Sequence, residues 1–169
     1  DRSSEDLEPA DVWPVIESIG GNNGWYSTPW LWRIRGLVDQ ILGGYGLRRG
    51  RINPDTLRVD DPVDWWRVEA IDPGRLLTLR AEMRAGGRAW LQLGVEAVDG
   101  GGVTYRQRAV FFPSGLIGRL YWFAILPFHA LVFPSMARNI LREAHRRREG
   151  AMDRDRPDAN GTQDRNHNA

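Results

Sequence analysis

The sequence contains no cysteine, which excludes disulfide bonds, thiolate nucleophiles and thiolate metal sites. It also contains no lysine, so all 23 basic residues are arginine, and Schiff-base and lysine general-base chemistry are excluded. Only 3 histidines occur, without HxxxH spacing, and we predict neither a bound metal nor a cofactor. The formal net charge is only +1, so we expect no nucleic-acid partner.

The length of 169 residues, with 41% hydrophobic and 27% charged residues, is typical of one globular domain. The chain begins with Asp1 and no signal-peptide pattern follows, so we expect a piece of a longer, cytoplasmic protein. Residues 149–169 are polar and lack an apolar face. This composition predicts a disordered tail that follows a domain at residues 1–148.

Periodicity near the N-terminus predicts a short edge strand at residues 2–7 and then two short helices. The first helix opens with residues 8–11, where Asp11 is the predicted N-cap, and ends at Gly20 and Gly21. The second is predicted over residues 29–42, which carry an apolar face, and glycines at 43, 44 and 46 end it.

From residue 57 the apolar period changes to two, which indicates β-strands. We predict strands over 63–71, 75–83, 88–98 and 103–112, and the turns between them are so short that neighbours must be antiparallel. The stretch from Ser114 to Arg148 is almost wholly apolar up to Ala137 and basic afterwards. It predicts a long helix, kinked or broken by Pro127 and Pro134. Segregated strands and helices indicate an α+β fold.

Five segments carry a resemblance to a known superfamily: VWPVIESIGGNNGWY, WLWRIRGLVDQILGGYGLRRGR, DWWRVEAIDPGRLLTLRAEM, GRAWLQL and FFPSGLIGRLYWFAILPFHALVF. The order of elements resembles the helix-grip fold of the START-like, polyketide-cyclase superfamily, also called SRPBCC. Within it, the segments resemble a bacterial family of unknown function whose members often follow NAD(P)-binding modules of the short-chain-dehydrogenase type. The resemblance implies a curved antiparallel sheet wrapped around the C-terminal helix, a cavity between them, and such a module as partner. No GxGxxG follows a strand here, so the nucleotide-binding module itself is absent from the sequence.

Strand parity selects the polar side chains that we expect to point inward. Asp64 shares the predicted inward face of its strand with Trp66, Val68 and Ala70, and Tyr105 and Gln107 share theirs with Ala109. Because a buried polar group needs a partner, two interpretations stay open. Asp64, Tyr105 and Gln107 either satisfy one another or orient a ligand in an apolar cavity.

Several further residues have both a structural and a functional interpretation. His129, alone in the apolar stretch, is a general acid or base or simply a packed side chain. Aromatic residues line a cavity or fill the core, and among them are Trp25, Trp30, Trp66, Trp90 and Trp122. A small basic loop attracts an anion or is solvated, and it contains Arg48, Arg49 and Arg51.

We predict a domain that binds a small hydrophobic ligand in an internal cavity, through Asp64, Trp66, Tyr105, Gln107, Tyr121 and His129. The first alternative is a cyclase, isomerase or hydratase on the same fold that uses Asp64, Tyr105 or His129. The second is a membrane-associated protein anchored through residues 116–137. Residues 120–137 contain no Asp, Glu or Arg and are nearly long enough to span a bilayer, although the two prolines and His129 argue against spanning.

Overall fold

The computed structural model describes residues 1–26, 50–53, 56–82 and 87–154. Within these ranges the chain forms one antiparallel sheet and two α-helices, α1 (Pro9–Glu17) and α2 (Gly115–Arg154), with a 3₁₀ turn at Gly21–Asn23. The strands are β1 (Arg2–Ser4), β2 (Pro62–Val63), β3 (Trp66–Asp72), β4 (Leu76–Ala81), β5 (Gly87–Ala97) and β6 (Val103–Pro113). Their order across the sheet is β1-β6-β5-β4-β3-β2. The fold is α+β with a long C-terminal helix, as predicted.

Short turns set the meander from β3 to β6. Between β3 and β4 the amide of Arg75 donates to the carbonyl of Asp72 at 3.0 Å, and Gly74 takes a φ of 77° that favours glycine. Between β5 and β6 the chain passes through glycines 100 to 102, and the amide of Val98 donates to the carbonyl of Gly102 at 3.1 Å. Both turns confirm the predicted antiparallel pairs. The predicted edge strand β1 lies at the sheet edge, where it pairs with β6, but it ends at Ser4.

The predicted strand at residues 63–71 is wrong in its first part, because the chain turns back at Asp64 and Trp65. Val63 of β2 pairs with Trp66 of β3, so the two residues between them form a tight hairpin turn. Asp64 adopts a φ of 58° there, a left-handed conformation that aspartate tolerates better than most residues. The parity rule of a strand therefore does not apply to Asp64.

A bulge in β3 overturns a second parity prediction. Val68 pairs with Leu79, but the next pair joins Ala70 to Thr78, which leaves Glu69 as an extra residue in the strand. One extra residue exchanges the two faces of everything that follows it. Ala70, which was expected to point inward, is therefore exposed, and Ile71 takes the inward position opposite Leu77.

The core lies between one face of the sheet and the two helices. We call this face the inner face, and its buried side chains include Val68, Leu77, Leu79, Leu91, Leu93, Val95 and Tyr105. Helix α1 contributes Val12, Val15 and Ile16 to the same cluster, and α2 contributes Met136, Ile140, Leu141 and Ala144. All the α2 residues of this cluster come from its C-terminal half.

Helix α1 begins one turn earlier than the sequence suggested. The amide of Glu8 donates to Oδ2 of Asp11 at 2.8 Å, so Asp11 lies at the third helical position and Glu8 is the N-cap. At the other end, the guanidinium of Arg51 donates to the carbonyls of Glu17 and, at 2.7 Å, of Ile19. Arg51 thus satisfies carbonyls that the helix end leaves without partners.

Helix α2 bends by 52° between its halves Gly115–Pro127 and His129–Arg154. Proline has no amide hydrogen and clashes with the preceding turn, so the bend confirms the kink predicted at Pro127. Residues 149–154, which we assigned to the polar tail, are the last residues of this helix. The remaining predicted tail at 155–169 lies outside the described residues, as do the predicted helix at 29–42, Trp30, Arg48 and Arg49.

Candidate functional site

A cleft lies between the inner face of β5 and β6 and the bent part of α2, and its volume is about 60 Å³. Small side chains on paired strands leave this space, since Ala89 lies opposite Phe111 and Ala109 lies opposite Leu91. The lining is almost entirely apolar and aromatic. It consists of Trp66, Ala89, Trp90, Leu91, Ala109, Val110, Phe111, Tyr121, Trp122, Ile125, His129, Val132, Phe133 and Met136.

Aromatic rings close one side of the cleft. Phe111 of β6 stacks on Trp122 of α2 with ring centroids 5.4 Å apart, and it meets Tyr121 at 5.9 Å. These contacts hold the first half of α2 against the last part of β6. Because all three residues are only half-buried, their rings form the boundary between the cleft and the surface.

His129 lies directly after the bend and contributes to the lining. Its ring stacks on Phe133 with centroids 4.8 Å apart and an interplanar angle of 13°, and Trp122 lies at 5.7 Å. An imidazole can accept or donate a proton near neutral pH. The cleft therefore contains an imidazole with the chemistry of a general acid or base, held among aromatic rings.

Trp66 lines the cleft and carries a buried polar atom without a partner in the described residues. The residue is 8% exposed, and its indole Nε1–H, which is fully buried, has no hydrogen-bond acceptor within the described part of the chain. Burying such a donor without an acceptor costs roughly 1–3 kcal/mol. Because Trp66 is a lining residue, a ligand in the cleft is a candidate source of the missing acceptor.

Asp64 lies outside the lining. Its Oδ2 accepts hydrogen bonds from Nε1 of Trp25 at 2.8 Å and from the amide of Gly21 at 3.3 Å. Trp25 in turn packs on Trp66, with ring centroids 6.1 Å apart. The carboxylate is thus connected with the cleft only through an intervening ring, and it fixes the loop after α1 to the β2–β3 turn.

Tyr105 and Gln107 also lie outside the lining, and they contact each other. The hydroxyl of Tyr105 donates to Oε1 of Gln107 at 2.9 Å, and complete burial raises the pKa of this phenol above its usual range. Gln107 precedes the lining residue Ala109 by two positions on the same face of β6. Of the six predicted ligand-binding residues, the cleft therefore gathers Trp66, Tyr121 and His129 and omits the other three.

The sequence interpretation missed the helical part of the lining beyond Tyr121, Trp122 and His129. Ile125, Val132, Phe133 and Met136 line the cleft together with these residues. Their spacing of three and four residues places them on one helix face. This period was a usable signal, but it was obscured because nearly every residue of the segment is apolar.

Two further features of the described residues concern metal binding and membrane spanning. Across the described ranges, no three acidic or histidine side chains come together in a way that could hold a metal ion. None of the described helices is by itself long and apolar enough to cross a membrane, and only the two bent halves of α2 taken together reach that length and composition.

The model of a protein family of unknown function, DUF2867, matches residues 1–136. The chain belongs to this family. The DUF2867 match ends at Met136, so it includes all six described strands and every residue that lines the cleft. Comparisons with curated proteins and with solved structures each give no significant match.

Proposed function

We propose that this domain binds a small, mainly apolar ligand that carries one hydrogen-bond acceptor, in the cleft between α2 and the β5–β6 pair. The observation that carries the proposal is the buried Nε1–H of Trp66, which has no acceptor within the described part of the chain. Sites for small molecules are usually apolar clefts with a few polar groups that fix orientation. A ketone, ether or hydroxyl oxygen would match this donor, and the aromatic lining would cover the rest of the ligand.

The cleft must widen to hold such a ligand. Its volume is about 60 Å³, whereas sites for drug-sized ligands measure about 300–1,000 Å³. The half-buried rings of Tyr121 and Trp122, which contact Phe111 and border the surface, are the part of the boundary that we expect to move. We propose that a bound ligand takes the place of the contact between Phe111 and Trp122.

Displacement of a neutral apolar dye, N-phenylnaphthylamine, tests this function. A ketone of medium chain length should displace the dye about tenfold better than the hydrocarbon of the same shape, which is what a hydrogen bond of about 1.4 kcal/mol gives. In Trp66→Phe, which keeps an aromatic ring but lacks the donor, the ketone should lose this advantage. Trp13→Phe is the matched control, because Trp13 is equally buried, at 7% exposure, but does not line the cleft. Absence of dye binding to the folded domain would disprove the proposal.

The resemblance found in the sequence supports a finer proposal about fold and partner. We propose that the domain is a helix-grip domain of the START-like superfamily, and that it serves an NAD(P)-binding module of the short-chain-dehydrogenase type. The antiparallel meander with a long C-terminal helix across one face is consistent with this fold. The coding sequence upstream of Asp1 is the direct test. A dinucleotide-binding module in the same reading frame would support the partnership, and an unrelated upstream domain would contradict it.

The enzyme alternative is favoured by one observation, the presence of His129 in the lining. A cyclase or isomerase needs a proton donor or acceptor in contact with the bound molecule. If the domain is such an enzyme, a ligand that displaces the dye should be converted by the wild-type domain and not by His129→Gln, as followed by mass spectrometry. An unchanged ligand with both proteins would rule out catalysis on that ligand.

A further inference from the structure

The first half of α2 exposes an apolar face to its surroundings. Leu116, Ile117, Leu120 and Phe123 each expose between 69% and 76% of their surface. With steps of three and four residues, Leu116, Leu120 and Phe123 lie on one side of the helix. Phe112, three residues before the helix, is 61% exposed and lies at the same end of the molecule, on the side of β6 opposite to Phe111. We call this set, Phe112, Leu116, Ile117, Leu120 and Phe123, the outward apolar face.

The opposite side of this half-helix is apolar as well. Tyr121, Trp122 and Ile125 face the cleft, so the segment is apolar all round apart from Arg119. A surface helix of a water-soluble domain normally has one polar face. The second half of the same helix follows that rule, because Met136 and Ile140 are buried while Arg138 and Arg142 are exposed. The contrast within one helix indicates that the first half has an apolar neighbour beyond the described residues.

The charged residues nearest to the outward apolar face, on the half-helix and in strand register with Phe112, are arginines. Arg119 is on the half-helix itself, and Arg88 pairs in register with Phe112 on the adjacent strand. Both arginines are exposed, and neither forms an ion pair within the described ranges. Residues 100–142 contain no Asp or Glu at all, although they contain five arginines. The apolar neighbour should therefore carry negative charge at its border.

An anionic lipid bilayer has an apolar interior and a negatively charged border. We propose that the outward apolar face lies in the interfacial region of such a bilayer. In this orientation the apolar side chains enter the boundary of headgroups and acyl chains, while Arg88 and Arg119 contact lipid phosphates. A second copy of the chain fits less well. A symmetric contact through this face would bring the uncompensated arginines of two copies together without an acidic partner.

The proposal does not rest on ligand binding in the cleft, and it can be tested separately with the full chain. We expect co-sedimentation with vesicles of 70% phosphatidylcholine and 30% phosphatidylglycerol, and much weaker co-sedimentation with pure phosphatidylcholine. Because exposed charges are screened by salt, raising NaCl from about 0.1 M to 0.5 M should release much of the protein. Equal binding to both kinds of vesicle would overturn the role of the arginines.

Variants locate the contact on the structure. Replacing Leu116, Leu120 and Phe123 together by Gln should weaken binding at least about 100-fold, with no loss of thermal stability, because these side chains are exposed. The matched control replaces three exposed apolar residues elsewhere, Ile52, Val59 and Val98, and should bind like the wild type. The pair Arg88→Gln and Arg119→Gln should weaken binding to anionic vesicles about 30-fold, which corresponds to about fivefold for each arginine.

The absence of native cysteine allows a direct measurement of insertion. The polarity-sensitive dye NBD, attached through Leu120→Cys, should shift to the blue with anionic vesicles, whereas the same dye at Val98→Cys should not. No shift at position 120 would overturn the proposal. A dimer in light scattering that becomes a monomer in Leu120→Gln, without any binding to vesicles, would assign the face to a second copy instead.

Discussion

The carboxylate of Asp64 and the indole nitrogen of Trp25 are joined by a hydrogen bond of 2.8 Å across 39 positions of the chain. Asp64 is fully buried and lies at the turn between β2 and β3, while Trp25 lies in the loop that follows α1. The amide of Gly21 donates to the same carboxylate oxygen. A buried carboxylate with two donors is a structural anchor, and its removal should affect folding before it affects any ligand.

We expect Asp64→Ala to lower the free energy of unfolding by about 2–4 kcal/mol, because charge-assisted hydrogen bonds are lost and alanine resists a positive φ. Asp64→Asn should cost less, since asparagine keeps an acceptor oxygen and tolerates this backbone. Asp60→Ala is the matched control, as Asp60 has a φ of 70° but is exposed. Urea unfolding measures all three. Equal losses in Asp64→Ala and Asp60→Ala would show that the backbone alone is responsible.

The hydrogen bond between Tyr105 and Gln107 predicts a coupling between two substitutions. Tyr105→Phe alone leaves the buried Oε1 of Gln107 without its donor and should cost about 1–2 kcal/mol. The double variant with Gln107→Leu removes both polar groups, including a buried Nε2 that has no partner within the described residues. We therefore expect it to be about 1 kcal/mol more stable than the sum of the single effects. Additive losses in a double-mutant cycle would contradict a direct interaction.

An ion-pair group on α2 predicts a pH dependence of stability. Burial alone would raise the pKa of Glu143, but hydrogen bonds from Arg146 and Arg147 outweigh it and lower the pKa. Arg147 also donates to the hydroxyls of Ser18 and Tyr26, each at 3.1 Å, so this group connects α2 with the loop after α1. A carboxyl whose pKa is lowered by folding stabilises the folded state above its unfolded pKa, and this contribution disappears as the pH falls through the folded pKa.

Glu143→Gln should accordingly lower stability at pH 7 by less than about 1 kcal/mol, because the pair is near the surface. The difference from wild type should shrink as the pH falls below the unfolded pKa of about 4.3, and vanish below the lowered folded pKa. Thermal unfolding between pH 3 and pH 7 measures it. Glu149→Gln, which removes an exposed carboxylate outside this group, should show no such trend.

A larger side chain in the cleft should destabilise the fold less than a larger side chain in the core. Ala109→Leu adds volume where about 60 Å³ is free, so we expect a change in stability within about 1 kcal/mol together with loss of dye binding. Ala144→Leu adds the same volume at a fully buried position outside the lining and should destabilise by about 1–3 kcal/mol. If Ala109→Leu proves as costly as Ala144→Leu, the space beside Ala109 is not available to a ligand.

The sequence predicted the features of this fold that repeat along the chain. Period-two alternation identified β4, β5 and β6, and the glycines of their turns marked the reversals, because both signals are local. It failed where one residue changes the period, as at the Asp64 turn and at the bulge of Glu69. It also could not pair Asp64 with Trp25, since nothing in spacing relates positions 39 residues apart.

The candidate site was predictable to the extent that it lies on regular elements. Tyr121 and His129 come from a helix that the apolar stretch clearly indicated, and Trp66 is the first residue of β3. The small side chains that create the space, Ala89 and Ala109, carried no signal of their own. Their effect appears only when β5 and β6 are paired and the bend in α2 lies above them.

The connection between β6 and α2 consists of one residue, Ser114, whose carbonyl accepts from the amide of Gly118 at 3.2 Å. The half-helix that follows is therefore fixed at both ends, by the strand on one side and by the packed second half of α2 on the other. A segment supported in this way is a preorganised platform. A partner that binds to its outer side meets a preformed surface, so binding costs little conformational entropy. Both association and dissociation can therefore be fast.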